Sequence, residues 1–587
     1  MKNFFKMVFA VIVGLLCSFF VFLFIMIGLA AGSGDKKSTI VQKNSILELN
    51  LDREIADVVV DNPLKNFSVF NPSISQNEQI GLFELQKTIE KAKEDKNIAG
   101  IYLKTDGISA GISTLFEIKR ILEDFKKSGK FIIAYTEGQS QGSYLINTAA
   151  DKIYMNPVGG MELKGFGSEI MYFKGLLDKL GVEPMIFYAG EFKSATEPFR
   201  ATKMSEENRV QMTALLDDIY GNYLLSVAKS RKMTIERLRQ IIDNLEAFEA
   251  DNAVKIGLID GLRYYDEINQ ELMKKAGLKK EKDLKLTAYN DYKVKLEDAS
   301  KGDKVAVVFA QGDIVDGKGE PGEIGGLAYA ETLKEIREDE HVKAVVIRVN
   351  SPGGSAYASE QIWRELSLIR AKKIPIVISM GDYAASGGYY IAAPGDYIFA
   401  DENTITGSIG VFGMMFNTEK LFRDKAGITF DRVKTAPYAD FGTGNRPWDE
   451  REKEVVTNSI NKTYSTFKSK VANGRKLPMS KVDSIARGRV WSGNDAKYLG
   501  LIDAYGNLDK AIVKAKELAK NKNLGNNYYP KAQSFFETII ADFTQTKTER
   551  HIKAVLGDQY ELYKTFTYFK SIKGPQARMP FILNISE

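Results

Sequence analysis

Two residue types that often serve in catalysis are almost absent from this 587-residue chain. There is one cysteine, Cys17, so neither an internal disulfide nor a thiolate metal cluster can form. There are two histidines, His341 in a charged turn and His551 in a polar C-terminal stretch. A Ser-His-Asp triad would need one of them, and both settings are typical of surface histidines. The counts exclude a histidine-rich metal site and argue against a histidine base.

An excess of charge of one sign is also lacking. Lys and Arg number 81, Asp and Glu number 76, and the net charge of +5 is spread along the chain. A protein that binds nucleic acid usually gathers its basic residues on one face or stripe. We therefore expect no nucleic-acid partner, and we expect neither a metal ion nor another cofactor.

Near the N-terminus the sequence has one long run without charge, residues 7–31, which follows Lys2 and Lys6. About 20 apolar residues span a bilayer, whereas the core of a cleaved signal peptide has about 7–15. The run therefore predicts a single-pass transmembrane helix. Lysines on its short N-terminal side favour a cytoplasmic N-terminus, which places the rest of the chain across the membrane. Residues 1–44 are interpreted as a cytoplasmic stub, an anchor and a linker.

Beyond the linker, short β-rich runs alternate with helical segments. In the second half, strands are predicted at 304–314, 342–349, 374–380 and 397–400, with helices between them. This alternation predicts an α/β fold with a largely parallel sheet.

The first half follows the same order as the second. Residues 98–103 match 342–347, and residues 252–260 match 495–503. We therefore predict tandem repeats at 45–300 and 301–519. Residues 520–587 form a tail to which the sequence assigns no role.

The two repeats differ where a catalytic pair could lie. Aligning Asp151-Lys-Ile with Asp396-Tyr-Ile places Gln141 opposite Ser386. Further along, Lys193 falls opposite residues 436–440, which contain no lysine. Each repeat thus keeps one member of a serine–lysine pair. This division predicts a hydrolase site assembled between the repeats.

Glycines and a serine are predicted to meet at one edge of the second sheet. Gly353 and Gly354 follow a strand, where free N–H groups and the start of the next helix can hold an oxyanion. Ser386 lies at a strand-to-helix junction, and the amide of Gly387 can join those donors. The structural alternatives are an ordinary turn for the glycines and a helix N-cap for the serine. Ser386 lies one βα unit after the glycine pair, at the same edge of the sheet, and this placement favours the catalytic interpretation over the structural ones.

Lys193 can act as a base near neutral pH only if its pKa falls well below the ordinary value of about 10.4. Desolvation in an apolar pocket lowers the pKa of a lysine, and the apolar residues 185–189 can form such walls. Glu191 and Glu197 are expected to point away, because a nearby carboxylate would stabilise the ammonium. The alternative is an ordinary surface lysine.

Four segments, taken together, resemble the signal peptide peptidase A family. They are Asn350-Ser-Pro-Gly-Gly354, Asp382-Tyr-Ala-Ala-Ser386-Gly-Gly-Tyr-Tyr390, Thr406-Gly-Ser408-Ile-Gly-Val411 and Arg489-Val-Trp-Ser-Gly-Asn-Asp-Ala496. The doubled length, the anchor and Phe192-Lys193-Ser-Ala-Thr-Glu-Pro-Phe199 are similar to the long form of that family. The resemblance covers residues 45–510.

The resemblance implies tandem ClpP/crotonase-like repeats, with Ser386 as nucleophile and Lys193 as general base. It also implies that Ser408 orients the lysine. Gly353, Gly354 and Gly387 are the expected oxyanion donors, as their positions beside the strand ends already suggested. It further implies a homotetramer in the bacterial inner membrane, with its catalytic body on the periplasmic side. Its substrates would be cleaved signal peptides and other short apolar peptides.

Two alternatives stay open on the sequence. A crotonase-type acyl-CoA hydratase or thioesterase would keep the fold, although the anchor and the Ser/Lys division argue against it. A catalytically inactive, membrane-tethered scaffold is suggested by the first repeat, which lacks both the serine and the paired glycines. The sequence also leaves open whether the pair forms within one chain or between chains.

Overall fold

In the computed structural model the chain is described over residues 41–59, 79–299, 301–531 and 574–579, together with part of the stretch 6–21. Most of the predicted anchor, residues 7–31, lies outside the described residues. Within the described part, no helix combines the length and the apolar character needed to cross a membrane.

The described strands and helices alternate along the chain. The strands are β1 (Ser45–Asn50), β2 (Ile55–Ala56), β3 (Ile80–Gly81), β4 (Ile98–Lys104), β5 (Phe131–Thr136), β6 (Lys152–Met155), β7 (Glu183–Ala189), β8 (Gly261–Leu262), β9 (Leu286–Ala288), β10 (Lys304–Gln311), β11 (Ile314–Val315), β12 (Ile324–Gly325), β13 (Val342–Ser351), β14 (Gly353–Ser355), β15 (Ile376–Ala385), β16 (Tyr397–Ala400), β17 (Ile405–Gly407), β18 (Val411–Asn417), β19 (Val490–Trp491), β20 (Ala504–Tyr505), β21 (Gly525–Tyr529) and β22 (Gln576–Arg578). The α-helices are α1 (Leu82–Glu94), α2 (Ile112–Lys126), α3 (Gln141–Asn147), α4 (Lys174–Leu180), α5 (Glu197–Arg200), α6 (Glu206–Arg231), α7 (Ile235–Asp243), α8 (Ala250–Lys255), α9 (Tyr265–Lys275), α10 (Tyr289–Tyr292), α11 (Gly326–Glu338), α12 (Ala356–Ala371), α13 (Gly387–Ala392), α14 (Glu450–Arg475), α15 (Met479–Ile485), α16 (Gly493–Leu499) and α17 (Leu508–Leu518).

Each half of the chain builds its own sheet. The first has the strand order β8-β6-β5-β4-β1-β9, and all its neighbours are parallel. The second has the order β19-β17-β15-β13-β10-β21, with β16 beside β15 and β20 beside β16. Its central strands β10 and β13 are buried along most of their length, as expected for parallel strands covered on both faces. The predicted α/β class is confirmed.

Equivalent hydrogen bonds recur in the two halves. Asp151 accepts one from the amide of Ile132 at 2.8 Å, and Asp396 accepts one from the amide of Ile376 at 2.9 Å. The matched segments 252–260 and 495–503 end in aspartates that bind strand amides in the same way, Asp260 with Ile153 and Asp503 with Ile398. The alignment that placed Gln141 opposite Ser386 is therefore supported by the backbone.

A third sheet joins the two halves, with the strand order β12-β11-β14-β22-β18-β7. Strand β7 comes from the first half and β18 from the second, and they pair antiparallel from Ala189 opposite Val411 to Glu183 opposite Asn417. In an antiparallel pair, the end of one strand lies beside the start of the other. The chain that leaves β7 therefore lies close to the chain that enters β18.

A buried ion cluster also links the halves. The Arg348 side chain is 3% exposed, and its guanidinium lies 2.8 Å from Asp57 and 3.3 Å from Glu117. Nearby, Asp382 accepts hydrogen bonds from the amide and the hydroxyl of Thr114, at 2.9 and 2.6 Å, at the start of α2. Removing one partner of such a cluster would leave a buried charge without compensation, at a cost of about 3–5 kcal/mol. The cluster therefore fixes the two halves against each other.

In the described residues of the predicted tail 520–587, which are 520–531 and 574–579, the chain forms two strands. Strand β21 extends the second sheet beside β10, and β22 pairs with β14 and β18 in the third sheet. The predicted domain boundaries at 44, 300 and 519 stay predictions.

Candidate active site

Ser386 occupies the junction between β15 and α13. Its backbone angles are φ 54° and ψ −113°, a conformation that costs energy in a residue with a side chain. The strain is held by two hydrogen bonds, because the amide donates to the Gly407 carbonyl and the carbonyl accepts from the Tyr390 amide, both at 2.8 Å. The side chain makes no N-cap hydrogen bond. In α/β-hydrolases the nucleophilic serine likewise lies on a strained strand-to-helix turn.

Lys193 reaches this serine from the other half of the chain. It follows the end of β7 by four residues, and Ser408 precedes β18 by three. Because those strands are antiparallel, both residues lie at the same end of the pair. The Lys193 Nζ lies 2.7 Å from Ser386 Oγ, 2.9 Å from Ser408 Oγ and 3.1 Å from the Ser408 carbonyl oxygen. Three predicted site residues are thus brought together.

The surroundings of the amine favour its neutral form. Lys193, Ser386 and Ser408 are each fully buried. Burial lowers the pKa of Lys193 well below its ordinary value, because an ammonium group loses its hydration there. Glu191 forms an ion pair with Arg487, and Glu197 accepts a hydrogen bond from Asn208, so both carboxylates are engaged elsewhere, as predicted. The site therefore holds an amine that can accept a proton.

The three predicted oxyanion glycines lie side by side. A Cβ added to Gly353 would lie 2.7 Å from the Gly387 amide nitrogen, and one added to Gly387 would lie 3.1 Å from the Gly354 nitrogen. Gly353 also has φ +101°, which a residue with a side chain rarely adopts. Gly387 directly follows Ser386, so this group of amides borders the serine. The Gly353 amide donates to Ser351 Oγ at 3.2 Å, so only the Gly354 and Gly387 amides are left as candidate donors to a negatively charged oxygen.

The sequence matches Peptidase family S49 over residues 124–279 and again over residues 369–522. The chain belongs to peptidase family S49. Protease 4 of Salmonella typhi is 36% identical over 545 residues, which cover 90% of this chain and 87% of that protein. The chloroplastic serine protease SPPA of Arabidopsis thaliana is 36% identical over 488 residues, which cover 82% of this chain and 70% of that protein.

The two S49 matches confirm the predicted family resemblance and the tandem arrangement. Among solved structures, a ClpP1 mutant from Listeria monocytogenes is similar over 35% of this chain and 94% of its own, with 15% identity and a TM-score of 0.24. The ClpP/crotonase-like architecture of the S49 units stays a prediction.

In the first S49 unit, the position equivalent to the serine has a structural role. Gln141 begins α3, and its Oε1 accepts hydrogen bonds from the amides of Lys164 and Gly165, at 3.1 and 2.8 Å. Its Nε2 donates to the Gly165 carbonyl at 2.9 Å. The glutamine side chain therefore holds the loop at residues 164–165 against the start of α3.

Sequence reasoning missed one residue of the S49 site, Gly488. It has φ +77°, and a Cβ at this position would lie 2.7 Å from both the Cβ and the backbone nitrogen of Lys193. Its neighbour Arg487 accepts a hydrogen bond from the Phe192 amide at 2.9 Å, and Gly488 itself donates to Ile409 at 2.9 Å. The segment 487–489 thus packs against the lysine. In the sequence, Gly488 was marked only by its place directly before the family-like segment Arg489–Ala496.

Proposed function

We propose that this chain is a serine protease that works through a dyad, with Ser386 as nucleophile and Lys193 as general base. The observation that carries the proposal is the distance of 2.7 Å between Lys193 Nζ and Ser386 Oγ in a fully buried setting. The lowered pKa of the lysine supports it, because a neutral amine can take the proton of the serine hydroxyl.

The proposed reaction has two stages. Lys193 takes the Ser386 proton while the serine oxygen attacks a peptide carbonyl, and the amides of Gly354 and Gly387 stabilise the oxyanion. The protonated lysine then donates to the leaving amine, which breaks the peptide bond and leaves an acyl ester on the serine. In the second stage, the lysine activates a water molecule that hydrolyses the ester and restores the free serine.

Ser408 is proposed to aim the lone pair of the lysine. A neutral amine has two hydrogens and one lone pair. The Ser408 hydroxyl and carbonyl oxygens lie 2.9 and 3.1 Å from Nζ, so they can accept the two hydrogens. The lone pair is then left for the third neighbour, the Ser386 hydroxyl. Ser408 thus acts as a positioning residue.

Substrate, location and assembly complete the proposal. The family resemblance supports cleaved signal peptides and other short apolar peptides as substrates. The uncharged run 7–31 supports a single-pass anchor in the bacterial inner membrane, with the body on the periplasmic side. The same resemblance supports a homotetramer.

The proposal is tested by a peptidase assay with Ser386→Ala and Lys193→Ala, using an apolar fluorogenic peptide. Loss of a general base lowers the rate about 10²–10⁴-fold, and loss of the nucleophile should abolish turnover. Lys203→Ala is the matched control, because Lys203 is an exposed lysine ten residues further along. Full activity in either site variant would remove the role assigned to that residue.

A serine-reactive acylating probe separates the two alternatives that the sequence left open. The proposed dyad predicts covalent labelling of Ser386 in the wild type and none in Ser386→Ala. An inactive scaffold predicts no labelled residue, and a crotonase-type acyl-CoA enzyme predicts none at Ser386.

A further inference from the structure

One buried side chain of α6 bridges two segments that lie on either side of the candidate active site. Gln211 lies in the second turn of α6, the long helix of the first S49 unit, and it is 1% exposed. Its Nε2 donates to the Phe192 carbonyl at 3.0 Å, and its Oε1 accepts from the Val490 amide at 3.2 Å. A glutamine amide carries donors on one atom and an acceptor on another, so it can join two separate backbones.

The donor end of Gln211 binds the segment that carries Lys193. Phe192 directly precedes the lysine, and Ser194 directly follows it. Nε2 lies 3.0 Å from the Phe192 carbonyl oxygen and 3.0 Å from Ser194 Oγ. Because these two contacts lie on either side of the lysine, they fix the point from which its side chain extends towards the serine.

The acceptor end of Gln211 binds the segment that supports Ser408. Val490 begins β19, which pairs antiparallel with β17, and Gly407 of β17 lies opposite Val490. The Ser408 amide donates to the Arg489 carbonyl at 2.7 Å. The contact from Gln211 to Val490 therefore ends one residue away from the carbonyl that holds Ser408.

Neighbouring polar groups restrict the Gln211 amide to one orientation. Asn208, one turn earlier on α6, has its Oδ1 3.0 Å from Gln211 Nε2 and 3.0 Å from Ser194 Oγ. Its Nδ2 donates in turn to Glu197 at 2.9 Å. Each of these four side chains is at most 2% exposed. A buried polar network whose members find partners is rigid, because breaking it would leave polar groups unpaired away from water.

We propose that Gln211 is a positioning residue, which fixes Lys193 of the first S49 unit against Ser408 of the second. This inference rests on the proposed dyad. Gln211 acts through the segments that hold the dyad, since its hydrogen bonds go to their backbone and to side chains beside it. A misplacement of about 1 Å at a catalytic group can cost about 100-fold in rate. Loss of the bridge should therefore slow the chemical step and leave substrate binding unchanged.

Gln211→Met tests this inference, because methionine has nearly the length of glutamine but lacks the amide. The kcat and KM of the full-length protein are measured with an apolar fluorogenic peptide, below the unfolding transition of each variant. We expect kcat to fall about 10–100-fold and KM to stay within about twofold of the wild type. Gln240→Met is the matched control, because Gln240 is an exposed glutamine on α7, and it should keep the wild-type rate.

The outcomes separate this inference from the proposed function. A wild-type kcat in folded Gln211→Met would overturn the inference and leave the proposed function standing. A loss confined to KM would also overturn it, because a residue that positions the base acts on the chemical step. A wild type that does not cleave the peptide would overturn both.

A double variant separates positioning from general support of the fold. Ser408→Ala and Gln211→Met both act on the placement of one amine, so their effects on kcat should not multiply. We expect the double variant to lie within about twofold of Gln211→Met alone. Effects that multiply would show that Gln211 serves only the fold, and they would overturn the inference.

Gln211→Asn keeps the inference testable if Gln211→Met does not fold. Asparagine retains the amide, but it is one methylene group shorter and cannot reach both backbones. This variant should also lose kcat with KM unchanged, and a wild-type kcat in it would contradict the proposed bridge.

Discussion

Replacing Gly488 by alanine tests whether the backbone packed against Lys193 sets the position of its amine. The new Cβ would lie 2.7 Å from the Cβ and the nitrogen of Lys193 and 2.9 Å from its Cα. Backbone atoms cannot rotate away as the end of a flexible side chain can, so Lys193 has to move. A misplacement of about 1 Å at a catalytic group can cost about 100-fold in rate. We therefore expect kcat/KM to fall about 100-fold in Gly488→Ala.

Gly257→Ala is the matched control for this variant. Gly257 has φ +79°, close to the +77° of Gly488, but a Cβ there would have no atom within 4 Å. Both alanines have to adopt a left-handed backbone, which costs about 1–2 kcal/mol of folding free energy. Both variants should therefore melt a few degrees lower than the wild type, and only Gly488→Ala should lose activity.

The measurement pairs a thermal unfolding curve with kcat/KM for the same apolar fluorogenic peptide. The assay temperature lies below the transition of both variants, so that lost activity does not reflect unfolded protein. If Gly488→Ala turned over the peptide as fast as Gly257→Ala, the conclusion that segment 487–489 places the lysine would be wrong.

Three further predictions concern the amine. Because neutral Lys193 is the proposed base and burial lowers its pKa, kcat/KM should rise with pH through that lowered pKa and then level off. Initial rates measured across a pH series check this profile. Activity that is greatest in acid would contradict it. The free energy of unfolding should also rise with pH, because the unfolded chain keeps the Lys193 proton up to a higher pH than the folded chain does. This contribution grows between the lowered pKa and the ordinary pKa of lysine. Ser408→Ala and Ser408→Gly each remove an acceptor 2.9 Å from the amine and should lower kcat about 3–10-fold, the equivalent of about 0.5–1.5 kcal/mol. Both should move the acid limb of the pH profile to lower pH, because the hydroxyl oxygen favours the ammonium, and an unmoved limb would show that Ser408 only supports the fold.

The elements that the sequence predicted well are those with a local pattern. The predicted strand at 397–400 has the same bounds as β16. The predicted strand at 342–349 corresponds to β13, which continues two residues further, to Ser351. Buried parallel strands leave continuous apolar runs, and the helices between them show a helical period, so each can be recognised within a short window. The repeat was visible for the same reason, because its matched segments lie at equivalent strand ends.

The elements that the sequence could not predict depend on pairing between distant segments. Nothing in the local pattern of β7 or β18 states that they pair with each other across the two halves. Gln576-Ala-Arg578 carries no strand pattern at all, and it becomes a strand because β14 and β18 leave a gap that accepts backbone hydrogen bonds. The role of Gly488 was hidden likewise, since a positive φ beside a distant lysine is a property of the folded chain.

Dividing the proposed dyad between two units ties activity to correct assembly of the chain. The amine meets Ser386 only if β7 pairs with β18 in the observed register, with Ala189 opposite Val411. A slip of one residue would move Lys193 by about 3.3 Å and reverse which side chains face each side of the sheet, so the 2.7 Å contact could not survive. A chain whose halves have not yet docked therefore has a serine without its base. We therefore expect the proposed protease to stay inactive until β7 has paired with β18 in the third sheet.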